Sequence, residues 1–152
     1  MNDDESTSST QGAMMMPDTS TPDMELALPA RAGNIAVVRH AFGALGEAYA
    51  VDEEILSNIR LAVTEACTNV VVHAYPDDHE GPLEVAATLL GKDKLEVVVR
   101  DEGPGIGPRA DNPGLGLGLP LIVSLAESVQ LGRATNDCTE VRMTFPLSPA
   151  SP

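Results

Sequence analysis

The spacing of apolar and polar residues changes several times along this chain, and each change marks a predicted element. Met24-Glu25-Leu26-Ala27-Leu28 alternates in steps of two and reads as an edge strand closed by Pro29. From Asn34 to Ala50, Ile35, Val38, Phe42 and Leu45 recur at helical spacing. Asp52-Glu53-Glu54 opens a second helix, with its acids at the positive end of the helix dipole. The stripe this helix buries is predicted to be Ile55, Ile59, Ala62, Val63, Ala66 and Val70, and Pro76-Asp77-Asp78 ends it. Residues 83–90 and 94–100 are strand-like, joined by a Gly91-Lys92-Asp93 turn. A stretch dense in glycine and proline fills 102–118. Helical spacing resumes over 119–129, where Pro120 fits a first turn, and strands follow over 129–134 and 138–147. The order β-α-α-β-β-α-β-β, with short turns between consecutive strands, predicts an α+β fold. It is a two-layer α/β sandwich: a mixed, mostly antiparallel sheet with three helices on one face.

Composition refines this picture. Aromatic residues are 3% of the chain and Trp is absent, so Val, Leu, Ile and Ala must fill the core. Residues 1–22 are rich in Ser, Thr, Asp and Pro around Met14-Met15-Met16 and cannot bury enough apolar surface to order, so a disordered acidic tail is predicted. A single domain over 23–147 and a short tail over 148–152 complete the chain. With 9 Lys and Arg against 23 Asp and Glu, the formal charge of −14 repels phosphate backbones. Direct nucleic-acid binding is therefore not expected, and a basic protein partner suits the surface better. Cys67 and Cys138 lack metal-ligand spacing and fit small apolar positions in a reducing compartment. No continuous apolar run reaches the ~20 residues of a membrane span, and Met1-Asn2-Asp3-Asp4-Glu5 lacks a basic leader. A cytoplasmic protein without membrane contact is expected.

Three groups of residues carry candidate chemistry. Glu65 and Asn69 lie four apart on the second helix, so both side chains reach one ligand; they also suit a plain polar helix flank. Asp101 follows a strand and is trailed by Gly103 and Gly105, in Asp101-Glu102-Gly103-Pro104-Gly105. A carboxylate there can accept a hydrogen bond from an exocyclic amine such as that of adenine, while glycines let the backbone approach a flat ligand. An Asp-capped turn is the alternative. Gly114-Leu115-Gly116-Leu117-Gly118 runs into a helix, where exposed backbone N–H groups and the dipole attract phosphate; a flexible linker has the same composition.

Taken in this order, the three resemble the GHKL ATPases, whose ATP site is the Bergerat fold. The string from Ile59 through Thr64-Glu65-Ala66-Cys67-Thr68-Asn69 to His73-Ala74-Tyr75, with Val99-Arg100-Asp101-Glu102-Gly103, is similar to anti-sigma factor serine kinases of the RsbW/SpoIIAB type. The resemblance spans residues 24 to 147.

That resemblance implies a Mg–ATP-dependent protein serine/threonine kinase. Glu65 is then the general base toward a protein hydroxyl, and Asn69 a Mg²⁺ ligand. Asp101 binds the adenine amino group, Gly103 and Gly105 line the adenine site, and Gly116 and Gly118 hold phosphates. It also implies that the kinase phosphorylates an anti-sigma factor antagonist of the STAS type, binds and inhibits a sigma factor, and forms a homodimer. Two departures stand out. Ten residues separate Gly105 from Gly116, a short lid whose only cation is Arg109. Asp137-Cys138-Thr139 stands where relatives commonly carry Gly-Thr, which reads as a change of turn. His73 reads as a hydrogen-bonded residue near the helix end and Tyr75 as packing. The short lid motivates an alternative, a non-catalytic module that sequesters a regulator. The catalytic half of a histidine kinase is a third reading, for which no phosphoacceptor helix is found in the sequence.

Overall fold

The computed structural model describes residues 21–75, 80–103, 115–133 and 138–148. The expected N-terminal tail, up to residue 20, and the lid over 104–114 lie outside the described residues, as do 149–152 of the C-terminal tail.

The elements are β1 (Met24–Pro29), α1 (Ala32–Ala48), α2 (Glu53–Asn69), a π-turn (Val70–Ala74), β2 (Pro82–Leu90), β3 (Lys94–Asp101), α3 (Leu115–Leu125), β4 (Ser128–Arg133) and β5 (Thr139–Pro146). The strands form one five-stranded sheet in the order β1-β2-β3-β5-β4. Every pairing is antiparallel, which sharpens the mixed sheet expected from sequence. The Gly91 turn that makes the β2–β3 hairpin takes a left-handed φ of 69°, a conformation glycine adopts without a Cβ penalty.

Alternation along the strands decides which face is covered. Leu83, Val85 and Ala87 of β2, Leu95, Val97 and Val99 of β3, and Val141, Met143 and Phe145 of β5 all point into the core. They meet Val38 and Phe42 of α1, the α2 stripe of Ile59, Ala62, Val63, Ala66 and Cys67, and Ile122 of α3. The three helices therefore share one face, with α2 packed between α1 and α3. Burial pushes the Cys67 thiol up to about 12, so it behaves as a small apolar residue. On the open face, Arg142 pairs with Glu96 and Glu140, and Arg100 with Glu140, each at 2.8 Å.

One sequence expectation needs correction. The third helix spans Leu115–Leu125 rather than 119–129, so Pro120 sits inside it and not in its first turn. Pro120 has no N–H to give the carbonyl of Gly116, four residues back. The helical run Glu53–Ala74 passes for a membrane span by length and composition, although its apolar residues are not continuous. Its acids and Arg60 interrupt the run, and its apolar stripe packs into the core.

Candidate functional site

Helix α2 starts where the sequence places it because Asp52 caps it. The Asp52 carboxylate accepts from the N–H groups of Glu54 and Ile55 at 2.9 and 3.4 Å. With Ile59, Ala62, Val63 and Ala66 committed to the core, 3.6-residue periodicity places Glu65 and Asn69 together on one half-buried flank. Asn69 closes the α-helix; the chain then widens into the π-turn, where His73 is half-buried. Single π-turns of this kind recur at functional sites.

The other half of the site lies at the end of β3. Asp101 occupies the core-facing phase of the strand and is only 7% exposed. Burial raises its carboxyl above the ordinary value, and the Gly103 N–H, donating at 2.8 Å, partly opposes that rise. A Cβ on Gly103 would stand 2.1 Å from the Ala74 carbonyl oxygen, so only glycine lets this turn pass the end of the π-turn. That close approach joins the Asn69 segment to the Asp101 segment.

Register extends the site across the sheet. Leu83, Asp101, Thr139 and Arg133 form one rung over β2, β3, β5 and β4. Sequence reasoning missed Thr139, which it treated as part of a turn. It is 4% exposed, and its hydroxyl has no hydrogen-bond partner among the described residues. The missed signal was its phase: Thr139, Val141, Met143 and Phe145 alternate inward, so a polar residue stands at a core position beside Asp101. Thr139 also lines a cavity of about 230 Å³ with Leu131, Gly132 and Arg133. A larger hollow of about 380 Å³, by Tyr49, Leu89 and Lys92, lies at the other end of the sheet and has no carboxylate in its lining.

Gly116 and Gly118 fall in the first turns of α3 rather than in a loop ahead of it, so their amides belong to the helix N-terminus. Gly105 and Arg109 lie outside the described residues. Tyr75, read from sequence as packing, also makes hydrogen bonds: its hydroxyl accepts the Glu102 N–H at 2.8 Å and donates to the Pro82 carbonyl.

The residues present fit an adenine nucleotide. A buried acceptor, a buried hydroxyl without a partner and a glycine edge converge at one end of the sheet. Among the described residues no group of three or more His, Cys, Asp or Glu side chains could hold a metal by itself. Mg²⁺ needs no such cage when phosphates, waters and one protein oxygen complete its shell.

Fold and site together define a histidine kinase-like ATPase domain, and residues 28–145 match that family. Among its relatives, the serine-protein kinase RsbW of Bacillus mycoides is 30% identical, over 71% of this chain and 76% of its own. The RsbW of Bacillus velezensis is 29% identical, over 83% and 86%. The chain belongs to the RsbW family of serine-protein kinases. Solved structures share the fold. The RsbU and RsbW domains of a Mycobacterium tuberculosis protein superpose with a TM-score of 0.65 at 21% identity, covering 84% of this chain and 32% of that one. The histidine kinase domain of the Erythrobacter litoralis EL346 blue-light activated histidine kinase gives 0.54 at 22%, covering 79% and 62%. This chain thus spans about a third of the first structure and under two thirds of the second.

Proposed function

We propose that this chain is a cytoplasmic, ATP-dependent protein serine/threonine kinase that phosphorylates an anti-sigma factor antagonist of the STAS type and binds and inhibits a sigma factor. The observation that carries the reading is the close approach of Gly103 to the Ala74 carbonyl, which brings the turn after the buried Asp101 up to the π-turn that follows Asn69.

Bound Mg–ATP would supply the transferable γ-phosphoryl group. The chain's own residues do the rest. Glu65 takes the proton of the incoming serine or threonine hydroxyl, and that oxygen becomes the phosphate ester as ADP is left behind. The Asn69 amide oxygen would hold the Mg²⁺. Asp101 accepts from the adenine amino group, with the Thr139 hydroxyl next to it on the rung. Gly103 and Gly105 would line the adenine site, and the Gly116 and Gly118 amides at the α3 N-terminus would hold phosphate. Arg109 is the lid cation. The acidic surface suits a basic region of a protein partner, and in this reading the kinase is a homodimer.

The ten residues between Gly105 and Gly116 favour a second reading, in which the fold only sequesters a regulator and nucleotide is at most a structural ligand. Incubation with labelled ATP and a cognate antagonist separates the two. The kinase is expected to transfer label, and Glu65→Gln to lower transfer by about 10²- to 10⁴-fold while Mg–ATP still binds. Nucleotide binding without transfer to any candidate antagonist would leave the sequestering module. Full transfer by the Gln variant would remove Glu65 as the base.

A further inference from the structure

Tyr75 stands where the two halves of the site meet and belongs to neither. It is the first residue after the π-turn, with extended backbone at φ −119° and ψ 138°. The two hydrogen bonds of its hydroxyl reach backbone groups of different segments: Pro82, which starts β2, and Glu102, which follows β3. Its ring fills the space beside Gly81 so closely that a Cβ there would stand 2.0 Å from the ring edge. The Ala74 carbonyl just before it is the atom that abuts Gly103. Glu102 lies between Asp101 and Gly103, and the Gly103 N–H holds the Asp101 carboxylate. A hydrogen bond to Glu102 therefore fixes the peptide in the middle of the turn that aims Asp101.

We propose that Tyr75 is a positioning residue for nucleotide binding: its hydroxyl ties the turn that carries Asp101 to the helix that carries Asn69, so the two halves keep one spacing. The inference rests on the nucleotide-site reading above. A ring that merely packs needs no hydroxyl, whereas here the hydroxyl bridges two strand ends. Without it, the Glu102 peptide keeps no tie to the π-turn side, and adenine recognition loses its alignment with the Mg²⁺ side.

Tyr75→Phe keeps the ring and deletes both bonds. Calorimetric titration with Mg–ATP is expected to show binding weakened about tenfold near pH 7. Titrations from about pH 4 to pH 8 add a readout that packing alone would not move. Asp101 has Tyr75 near it from the π-turn, Glu102 beside it and Cys138 ahead of β5, with Glu84 and Arg100 around the same strand end and Arg133 two strands away on the same rung. Only the phenol changes in the variant. A looser Gly103 N–H opposes the burial-driven rise of the Asp101 carboxyl less, so the acid loss of affinity is expected to begin at higher pH. Amide exchange at Glu102 and Gly103, referenced to Val97 and Val99, reads the tie directly even in a less stable variant, and selective acceleration there is expected. If the wild type binds Mg–ATP and the variant shows the same affinity and pH profile, the inference is overturned and the nucleotide site stands. If the wild type does not bind Mg–ATP, the nucleotide reading falls and this inference with it.

Discussion

Asp101 and Thr139 are direct partners across the β3–β5 ladder, both pointing into the core from its end, one a carboxylate and the other a hydroxyl without a partner among the described residues. A buried, unsatisfied hydroxyl costs about 1–3 kcal/mol. Thr139→Val is therefore expected to raise the melting temperature of the nucleotide-free protein by about 2–8 °C. The same variant should bind Mg–ATP about fivefold more weakly, since the hydroxyl is then missing from the adenine side. Calorimetric melts and titrations on one preparation check both. A variant neither stabilised nor weakened would show that Thr139 has no part in the site.

Asp101 itself sets up a conflict between stability and binding. Its carboxyl is raised by burial, with the Gly103 N–H opposing, so its contribution to stability is fully present below the ordinary carboxylate value. That contribution is lost as pH rises through the raised folded value. Asp101→Asn removes the buried charge and is expected to melt higher than the wild type at pH 7, with the gap closing as pH falls into the carboxylate range. Mg–ATP affinity should drop by about 10²-fold, because the amide cannot replace a charged acceptor in the same geometry. Melts at several pH values and a single titration decide it.

Glycine positions offer a matched pair. Gly103→Ala drives a Cβ into backbone at 2.1 Å and is expected to cost about 1–3 kcal/mol and weaken Mg–ATP binding as well. Gly43→Ala lies inside α1, with nothing within 4 Å of the new Cβ, and should stabilise by up to about 1 kcal/mol through helix propensity. Urea unfolding of both, side by side, tests the contrast.

Glu140 titrates the other way. Burial pulls its carboxyl up, but hydrogen bonds from Arg100 and Arg142 outweigh that and hold it below the ordinary value. Its stabilising effect is therefore present above the unfolded carboxylate pKa and lost as pH falls through the lower folded value. Glu140→Gln is expected to melt below the wild type at neutral pH, with the two curves converging below about pH 4. Convergence at alkaline pH instead would contradict the assigned ion pairs.

Much of this architecture was legible in the chain. Period-two alternation gave the strands, the Asp52 cap gave the start of α2, and Glu65, Asn69, Asp101 and Gly103 stand on the elements assigned to them. The start of α3 was misplaced because Gly114, Gly116 and Gly118 argue against helix, each costing about 1 kcal/mol relative to Ala, and packing against α2 outweighed that preference. The π-turn after Asn69 was hidden because it leaves the apolar pattern of Val70-Val71-Val72 unchanged. The Tyr75 bridge was hidden for another reason. It joins segments distant in sequence through backbone atoms, which carry no residue-type signal.

Helix α2 gives its sides different work. Ile59, Ala62, Val63 and Ala66 anchor the domain, Glu65 and Asn69 occupy a flank, and Leu61 and Val72, the latter in the π-turn that continues the helix, look outward at 43% and 59% exposure. Because one turn is 3.6 residues, these duties interleave along the chain rather than forming blocks. A point-mutation scan through this helix should therefore give a phenotype that cycles: misfolding, inactive but folded, tolerated, then misfolding again. New recognition could evolve on the outward stripe with the candidate catalytic flank left as it is.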